Sequence, residues 1–503
     1  MKRIVSLLLV LVLLLSVLPL AGAFSDDASI DENYAKAVAA MAEKKIINGF
    51  EDGSFGPSKT LTRAQAAKIL CVMLEGSEKA DALTKTETGF SDVPASHWAA
   101  KYVAYCVDKG IVAGVGGGKF DPDGQLTSGA FAKMLLVAYQ KGEAAGYTGA
   151  EWLKNVQAAA EKTFYNYHLD KGPTGDPMPR QEAAQLAFNA QFQAEADADK
   201  AKGDPRTFTP SVPETMKLLV IGNSFGNDSS ISYLYSFLKE LGVKDLVIGI
   251  LYYGGCPYWK HVNFALQDEG VYKYYYYKNK TKMVTVKKTT FDKSVGDEKW
   301  THVLVLSGFS YLPTDFGPAP WQDLLLAYVR RTHPDAWYGY DMTWPFRGDY
   351  EETGKNASAT WFKDYHNGDQ LTMLSHAVAD VKKYVEPEQR FKFITPVGTA
   401  IMNARSSFIG DHLDRDGYHL NKGIGRYIAA MTVCCKLTGV DPDKITYLPE
   451  AIVQDKKDFT IPGLDMKAPG LLEALGKVAR ESVKNALAKP YEVTQSALTT
   501  APK

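Results

Sequence analysis

The sequence predicts two folds in one chain. Helical repeats fill the N-terminal third, and an α/β domain follows, its parallel sheet covered by helices on both faces. Three observations carry this. A pattern around residues 52–65 returns 65 residues later. From Met216 the chain alternates short apolar strands with amphipathic helices. And 503 residues is length enough for about three domains. Hydrophobic residues at 45% and charged residues at 23% exclude a disordered or collagen-like chain. With 57 basic and 58 acidic residues the net charge is -1, so no bulk attraction to nucleic acid follows. Aromatic content of 12%, with 28 Tyr, suits carbohydrate contact, although Tyr also fills cores.

Residues 1–23 read as a secretory signal. Lys2 and Arg3 precede an apolar run from Ile4 to Leu20, and Ala21-Gly22-Ala23 offers small residues for cleavage. No later apolar run is long enough to span a bilayer. Cys71, Cys106, Cys256, Cys434 and Cys435 show no zinc-ligand spacing. Five Cys in an exported chain of this size do not make a disulfide scaffold, and buried free thiols are expected. No cofactor or metal is expected.

The repeat is read from fixed correspondences: Gly49 with Gly114, Phe55 with Phe120, Pro57 with Pro122, Leu61 with Leu126 and Thr62 with Thr127. Each unit pairs an amphipathic helix (Ala35 to Lys45 in the first) with a turn-rich loop at Asp52-Gly53 and Pro57. Thr62 caps a second helix that begins at Arg63. A third, weaker unit carries Trp152 on its first helix and opens its second at Pro179-Arg180. The units span about 30–76, 90–143 and 146–195.

The Gly49-to-Pro57 stretch, Leu61-Thr62-Arg63-Ala64-Gln65, and Phe90-Ser91-Asp92-Val93-Pro94 with Trp98 make this region resemble the surface-layer homology (SLH) module. The resemblance implies a three-pronged helical domain that binds acidic secondary cell-wall polysaccharide. Arg63 and Arg180 stand at helix starts, where charge and helix dipole together suit a carboxylate. Ser128 takes that position in the second unit. Arg63, Trp98 and Arg180 are the expected wall-binding residues. Residues 196–213, polar and bearing Gly203, Pro205, Pro210 and Pro213, read as a linker.

In the α/β domain, expected at 214–440, strands are expected at Lys217 to Gly222, Leu246 to Tyr252, His302 to Leu306, Ala336 to Tyr340 and Phe391 to Pro396. Helices fall between them, and Gly423 to Leu437 makes a long last one. Ligands of such sheets sit at the carboxyl ends of the strands. Gly222-Asn223-Ser224-Phe225-Gly226 lies there, immediately after the first strand. A serine on a strand-to-helix turn can present its hydroxyl while its amide faces a developing oxyanion. Asp416-Gly417-Tyr418-His419 lies before the last helix. A carboxylate three residues before an imidazole can fix its tautomer. Either segment alone is an ordinary turn.

Together, in this order, they resemble the SGNH/GDSL hydrolase superfamily, and more closely a bacterial branch of SGNH-like domains of unassigned function. That branch's marks here are Ile221 to Phe225, Tyr253-Gly254-Gly255-Cys256, Thr395 to Ala400 with Asn403, and Arg415 to Leu420 with Gly425-Arg426-Tyr427. The resemblance implies a three-layer, flavodoxin-like α/β/α fold and ester hydrolysis through an acyl-enzyme. It makes Ser224 the nucleophile, His419 the general base and Asp416 its orienter, with the amides of Ser224 and of Gly254 or Gly255 as oxyanion donors. The superfamily's third donor, an Asn, is replaced here by Ser310 in Gly308-Phe309-Ser310.

Asn223, Asp341 and Trp344 are candidates for contacts with substrate, the Trp by stacking on a sugar or else by packing in the core. Tyr274 to Tyr277, between Lys273 and Lys278, read either as a carbohydrate platform or as an aromatic loop packed on its own domain. Asp411-His412 is expected on the loop surface, and His302 and Cys256 read as structural. Leu471 to Leu487 has helical periodicity, in a C-terminal extension over 441–503 whose last dozen residues look frayed. The combined expectation is a secreted, S-layer-associated esterase that deacylates (deacetylates) polysaccharide at the cell wall. Three alternatives stay open: transfer of the acyl group to a sugar, a wall-bound carbohydrate-binding protein with an inactive hydrolase domain, and a structural S-layer-associated protein.

Overall fold

The computed structural model describes residues 24–139, 144–163, 165, 167–169, 172–279, 282–306, 319–350, 357–454 and 460–502. The signal segment 1–23 and Ser310 lie outside these residues. The chain forms two compact units, Met1–Ala198 and Asp199–Lys503.

The first unit is helical: α1 (Glu32–Glu43), α2 (Arg63–Glu75), α3 (Ser77–Asp81), α4 (Ala100–Asp108), α5 (Ser128–Ala138), α6 (Trp152–Glu161) and α7 (Arg180–Lys202). The cap expected at Thr62 forms a reciprocal box, its hydroxyl accepting from the Gln65 amide while the Gln65 side chain accepts from the Thr62 amide. Just before each repeat's second helix, a short extended segment joins the next repeat. Leu61 donates its amide to Met178 O (3.0 Å), Met178 to Leu126 O (3.0 Å) and Leu126 to Leu61 O (2.8 Å), closing a ring of three. Inside it lies one core that includes Phe55, Phe120, Leu61, Leu126 and Met178. The thiols of Cys71 and Cys106 lie in that core with their sulfurs 3.9 Å apart, and all five cysteines are free and buried.

The first repeat begins earlier than expected. The Phe24 ring packs tilted against Phe55 at 5.3 Å between centroids, as Phe90 does against Phe120 at 5.5 Å. Asp26 accepts the amides of Phe55 and Gly56, as Asp92 accepts those of Phe120 and Asp121.

In the second unit a seven-stranded sheet has the order β4-β3-β2-β1-β5-β6-β7. Its strands are β1 (Thr215–Gly222), β2 (Asp245–Tyr252), β3 (Tyr272–Lys278), β4 (Val284–Thr289), β5 (His302–Val305), β6 (Trp337–Asp341) and β7 (Phe391–Thr395). Strands β2, β1, β5, β6 and β7 run parallel. The sheet is nevertheless mixed, because β3 and β4 form an antiparallel hairpin on β2. The tyrosine run is therefore a strand. Tyr272 and Tyr274 are buried on one face and Tyr277 on the other, where it packs on Tyr235, because successive side chains of a pleated strand alternate between faces and both faces are covered here. Buried strands β1 and β2 are near-continuous apolar runs, as a two-sided sheet requires.

The helices are α8 (Ser224–Ser230), α9 (Leu234–Glu240), α10 (Tyr258–Gln267), α11 (Phe291–Val295), α12 (Trp321–Arg330), α13 (Ala357–His366), α14 (Gln370–Asp380), α15 (Val397–Arg405), α16 (Ile424–Thr438), α17 (Ala451–Gln454) and α18 (Leu471–Ala488). Two sequence expectations are corrected here. Residues 196–202 continue α7 rather than starting a linker. The rest of that stretch packs on the sheet unit: Phe208 meets Trp337 at 5.5 Å and Phe393 at 4.8 Å, and Asp204 is buried against Arg206. Nor is the C-terminus frayed. Leu471, Leu475, Val478 and Val483 of α18 join the main core, and the Thr494 and Ser496 amides bond to Asn403 and Ser406.

Among the described residues no helix is long and apolar enough to cross a membrane.

Candidate active site

Strand β1 ends at Gly222, and the turn into α8 is tight. A Cβ on Gly222 or on Gly226 would collide with Leu306 Cδ2 at the end of β5, so the turn fits only because both residues are glycine. Asn223 caps α8, its side-chain oxygen accepting the Phe225 amide at 3.0 Å. Ser224 is the first helical residue, where the amide has no partner within its helix. Beside it runs the loop after β2, held by the Tyr253 amide on Gly222 O at 3.4 Å. Gly254 and Gly255 in that loop are exposed.

The second segment is a closed turn. Asp416 Oδ1 accepts the His419 amide at 2.9 Å, and Oδ2 accepts His419 Nδ1 at 2.7 Å. The Arg415 amide donates to His419 O at 2.8 Å. Gly417 supplies the left-handed φ of 95° that this turn needs. Burial raises the Asp416 carboxyl, but the bonds from the His419 ring and amide outweigh it and hold the group below the ordinary carboxylate range. With Nδ1 taken by the carboxylate, Nε2 is the nitrogen left for chemistry. It is buried and has no hydrogen-bond partner among the described residues. Phe225, next to Ser224, lies 5.9 Å ring to ring from His419. The Ser224 hydroxyl makes no hydrogen bond to His419 here. Such bonds tighten on substrate binding in many hydrolases.

Asp228 ties the two segments together, and the sequence reading did not single it out. It stands one helical turn after Ser224, with its side chain fully buried. Arg415 Nη1 donates to one of its oxygens at 3.0 Å, and Arg426 Nη2 to the other at 2.6 Å. One carboxylate thus joins the serine helix, the Asp416–His419 turn and the start of α16. The available signal was an acid four residues after the serine on the same helix face.

The three expected substrate contacts are corrected. Asn223 spends its side chain on the cap and is 4% exposed. Trp344 is 1% exposed and donates Nε1 to Tyr418 O at 2.8 Å, bracing the Asp416–His419 turn from inside. Asp341, also 1% exposed, accepts Ser229 Oγ at 2.7 Å and Thr395 Oγ1 at 2.6 Å. Asp411 is no free loop residue either. It accepts the Gly348 amide at 2.6 Å and Gln370 Nε2 at 2.9 Å, and pairs with Arg405.

Burial pushes the Asp341 carboxyl up to about 6, against its two hydrogen bonds. A raised acid stabilises the fold below the unfolded value near 3.8 and loses that contribution as pH climbs through about 6. The difference is worth about 3 kcal/mol. Asp341→Asn is therefore expected to flatten part of the fall in unfolding free energy between pH 3 and 7. Urea titrations at several pH values check this, and a D341N curve parallel to the parent's would contradict it.

In the repeat unit, Arg180 is only 5% exposed. It donates to Phe55 O and Asn48 O at 2.9 Å each, and lies 4.6 Å above the Phe50 ring. Burial lowers it to about 10. It fastens the third repeat to the first, so the expected wall-binding contact at Arg180 is corrected to an internal tie between repeats. Arg63 is partly exposed and repeats the arrangement on the second repeat, through Phe120 O and Ala113 O at 2.8 Å each, with the Phe120 ring 4.6 Å away. At the third junction Ser128 bonds Thr174 instead. Gly172 occupies the place of Phe55 and Phe120 there. Where the ring is missing, the arginine is missing too. Trp98 is 52% exposed.

Comparison with known proteins gives two family matches. Residues 23–67 and 89–132 match the S-layer homology domain. Residues 217–460 match the family described as "Domain of unknown function (DUF4886)". Among relatives, a "Cell surface protein" of Thermoanaerobacter kivui is 33% identical over 27% of this chain and 17% of its own length. An "Uncharacterized cell wall amidase" of Bacillus anthracis is 29% identical over 35% of this chain and 33% of its own. The chain thus spans a third or less of the length of these two relatives. A crystal structure of a DUF4886 family protein from Bacteroides uniformis is 31% identical over 57% of this chain and all of its own, with a TM-score of 0.48.

Proposed function

Taking as premise a cell-surface, wall-associated chain that carries S-layer homology domains, we propose that its α/β unit is a serine hydrolase acting on acyl esters of a wall-associated glycan. The observation that carries the reading is the Asp416–His419 pair: Nδ1 bonded to the carboxylate, Nε2 buried without a partner, and the whole turn tied through Asp228 to the helix that Ser224 begins. In this reading Ser224 Oγ attacks the acyl carbonyl and its proton passes to His419 Nε2. The oxyanion of the tetrahedral intermediate receives the amides of Ser224 and of Gly254 or Gly255. Collapse expels the sugar hydroxyl, which takes the proton from Nε2. Water, deprotonated by the same nitrogen, then releases the acid and restores Ser224. Asp416 holds the tautomer and offsets the charge of the imidazolium. The amidase name of one relative makes amide cleavage a second reaction to assay.

The direct test is a fluorophosphonate probe on residues 24–503, read by intact-mass and peptide mass spectrometry. One adduct, on Ser224, is expected together with hydrolysis of p-nitrophenyl acetate. A folded protein that takes no adduct would overturn the reading in favour of a glycan-binding domain without turnover. The anchoring half is tested separately. The chain is expected to sediment with bacterial wall sacculi and to stay in solution once hydrofluoric acid has stripped the secondary polymer. An Arg63→Ala, Trp98→Ala double variant is expected to sediment several-fold less.

A further inference from the structure

The loop that carries Gly254 and Gly255 is flanked by aromatic rings with lysines over them. On its C-terminal side, Trp259 opens the first turn of α10 with 43% of its surface exposed. Lys260 Nζ lies 5.4 Å from the centroid of that ring and 5.9 Å from that of Tyr253. On the N-terminal side, Lys273 Nζ lies 5.8 Å from the Tyr252 ring, the two residues being register partners across β2 and β3. The Tyr252 hydroxyl reaches the loop itself, 3.4 Å from where a Cβ of Gly254 would stand. Neither ammonium has a carboxylate partner among the described residues. By contrast, the nearby Lys278 on the same strand is paired with Glu298, as is Lys217. The exposed indole offers an apolar face, and the two ammoniums stand open to an anion. A pyranose ring with a carboxylate satisfies both, its C–H face on the indole and its anion on the ammonium.

We propose that Trp259, Tyr253 and Lys260, continued across the loop by Tyr252 and Lys273, form a subsite for an acidic sugar of the glycan. The proposal rests on the hydrolase reading, because that reading makes the adjoining loop the place where the acyl group is held. The subsite sets specificity and takes no part in the bond-breaking steps. It selects acylated polymers that carry uronic acid or other carboxylate-bearing sugars over neutral ones.

The test uses residues 24–503 with Ser224→Ala as background, so that probes bind without turnover. Titration calorimetry compares O-acetylated oligogalacturonate with an O-acetylated xylo-oligosaccharide of equal length. Tighter binding of the acidic probe is expected. Trp259→Ala is expected to weaken both by about tenfold. Lys260→Ala is expected to weaken the acidic probe by about fivefold and leave the neutral one unchanged. Equal affinity for the two probes, absent binding, or binding indifferent to Trp259→Ala would overturn the subsite. Binding to the repeats is untouched by Trp259→Ala, so it cannot imitate the expected result. Hydrolysis of p-nitrophenyl acetate, an ester without a sugar, is followed separately in the Ser224 protein. If the parent fails to hydrolyse that ester while the glycan pattern holds, the hydrolase reading fails and the subsite stands.

Discussion

Replacing Ser224 with alanine is expected to lower kcat for ester hydrolysis by about 10⁴ to 10⁶ with little change in fold. Losses of that size follow removal of a nucleophile that acts as one unit with its base. His419→Ala should cost about as much, and the double variant little more than either, because each change disables the same proton transfer. Ser224 is only partly exposed and its hydroxyl makes no hydrogen bond among the described residues, so the alanine takes no structural partner away. Asp416→Asn should be milder, about 10²-fold. Its carboxylate is 43% exposed, and water can take over part of its charge compensation. Steady-state kinetics on p-nitrophenyl acetate, with circular dichroism for the fold, decide the matter. Additive losses in the double variant, or more than a tenth of parent activity in S224A, would remove Ser224 from the mechanism.

The second large effect concerns stability. Arg390 is fully buried and faces three carboxylates: Glu388 at 2.7 Å, Asp199 at 2.9 Å and Asp323. Asp199 also receives Arg330, so the last turns of α7 and the strand β7 region are joined by a network of opposite charges. Arg390→Met keeps much of the volume but leaves the acids without their shared cation. Removing one partner of such a cluster costs about 3–5 kcal/mol. For a unit of this size the midpoint should fall by roughly 5–10 °C. The acids do not all need the arginine if they go as well. Arg390→Met combined with Glu388→Gln and Asp323→Asn is expected to recover at least half of the loss, since neutral groups leave no buried charge unpaired. Differential scanning calorimetry follows both variants. A single variant as stable as the parent would mean that water reaches the acids and replaces the guanidinium.

Much of this arrangement was legible in the sequence where local chemistry and fold agree. The caps, the repeat offset, the five parallel strands and the two segments at the strand ends all depend on short-range signals. The sites that misled are those where tertiary packing decided. Trp344 follows a strand's carboxyl end, a place that sequence order shares between cleft and core, and only the Tyr418 carbonyl that it meets 74 residues away shows it belongs to the core. Asp341 is a carboxyl at the same kind of position, and it is consumed inside by Ser229 and Thr395. The tyrosine run carries no clean alternation of polar and apolar residues, so its strand identity rests on pairing with β2. The polar stretch after residue 196 has the composition of a linker. Its polar groups are bound by partners distant in sequence, such as Asp335 and Ala336, which receive Arg206. Asp228 escaped notice because one carboxylate acquires meaning only from the two arginines, 187 and 198 residues away, that converge on it.

The hydrogen-bonded ring of Leu61, Met178 and Leu126 bears on how such a module can be made and altered. A row of repeats can lose an end member and keep the rest, because each repeat leans only on its neighbours. A closed cycle has no end member. Take out any one of the three and two of the three contacts break, leaving the two survivors joined by a single bond and each with a bare backbone edge. The ring closes only with all three repeats, so synthesis must deliver the third repeat before the first can make both of its contacts. Within the cycle the arginine and the ring are present together at two junctions and absent together at the third, where Ser128 and Gly172 stand.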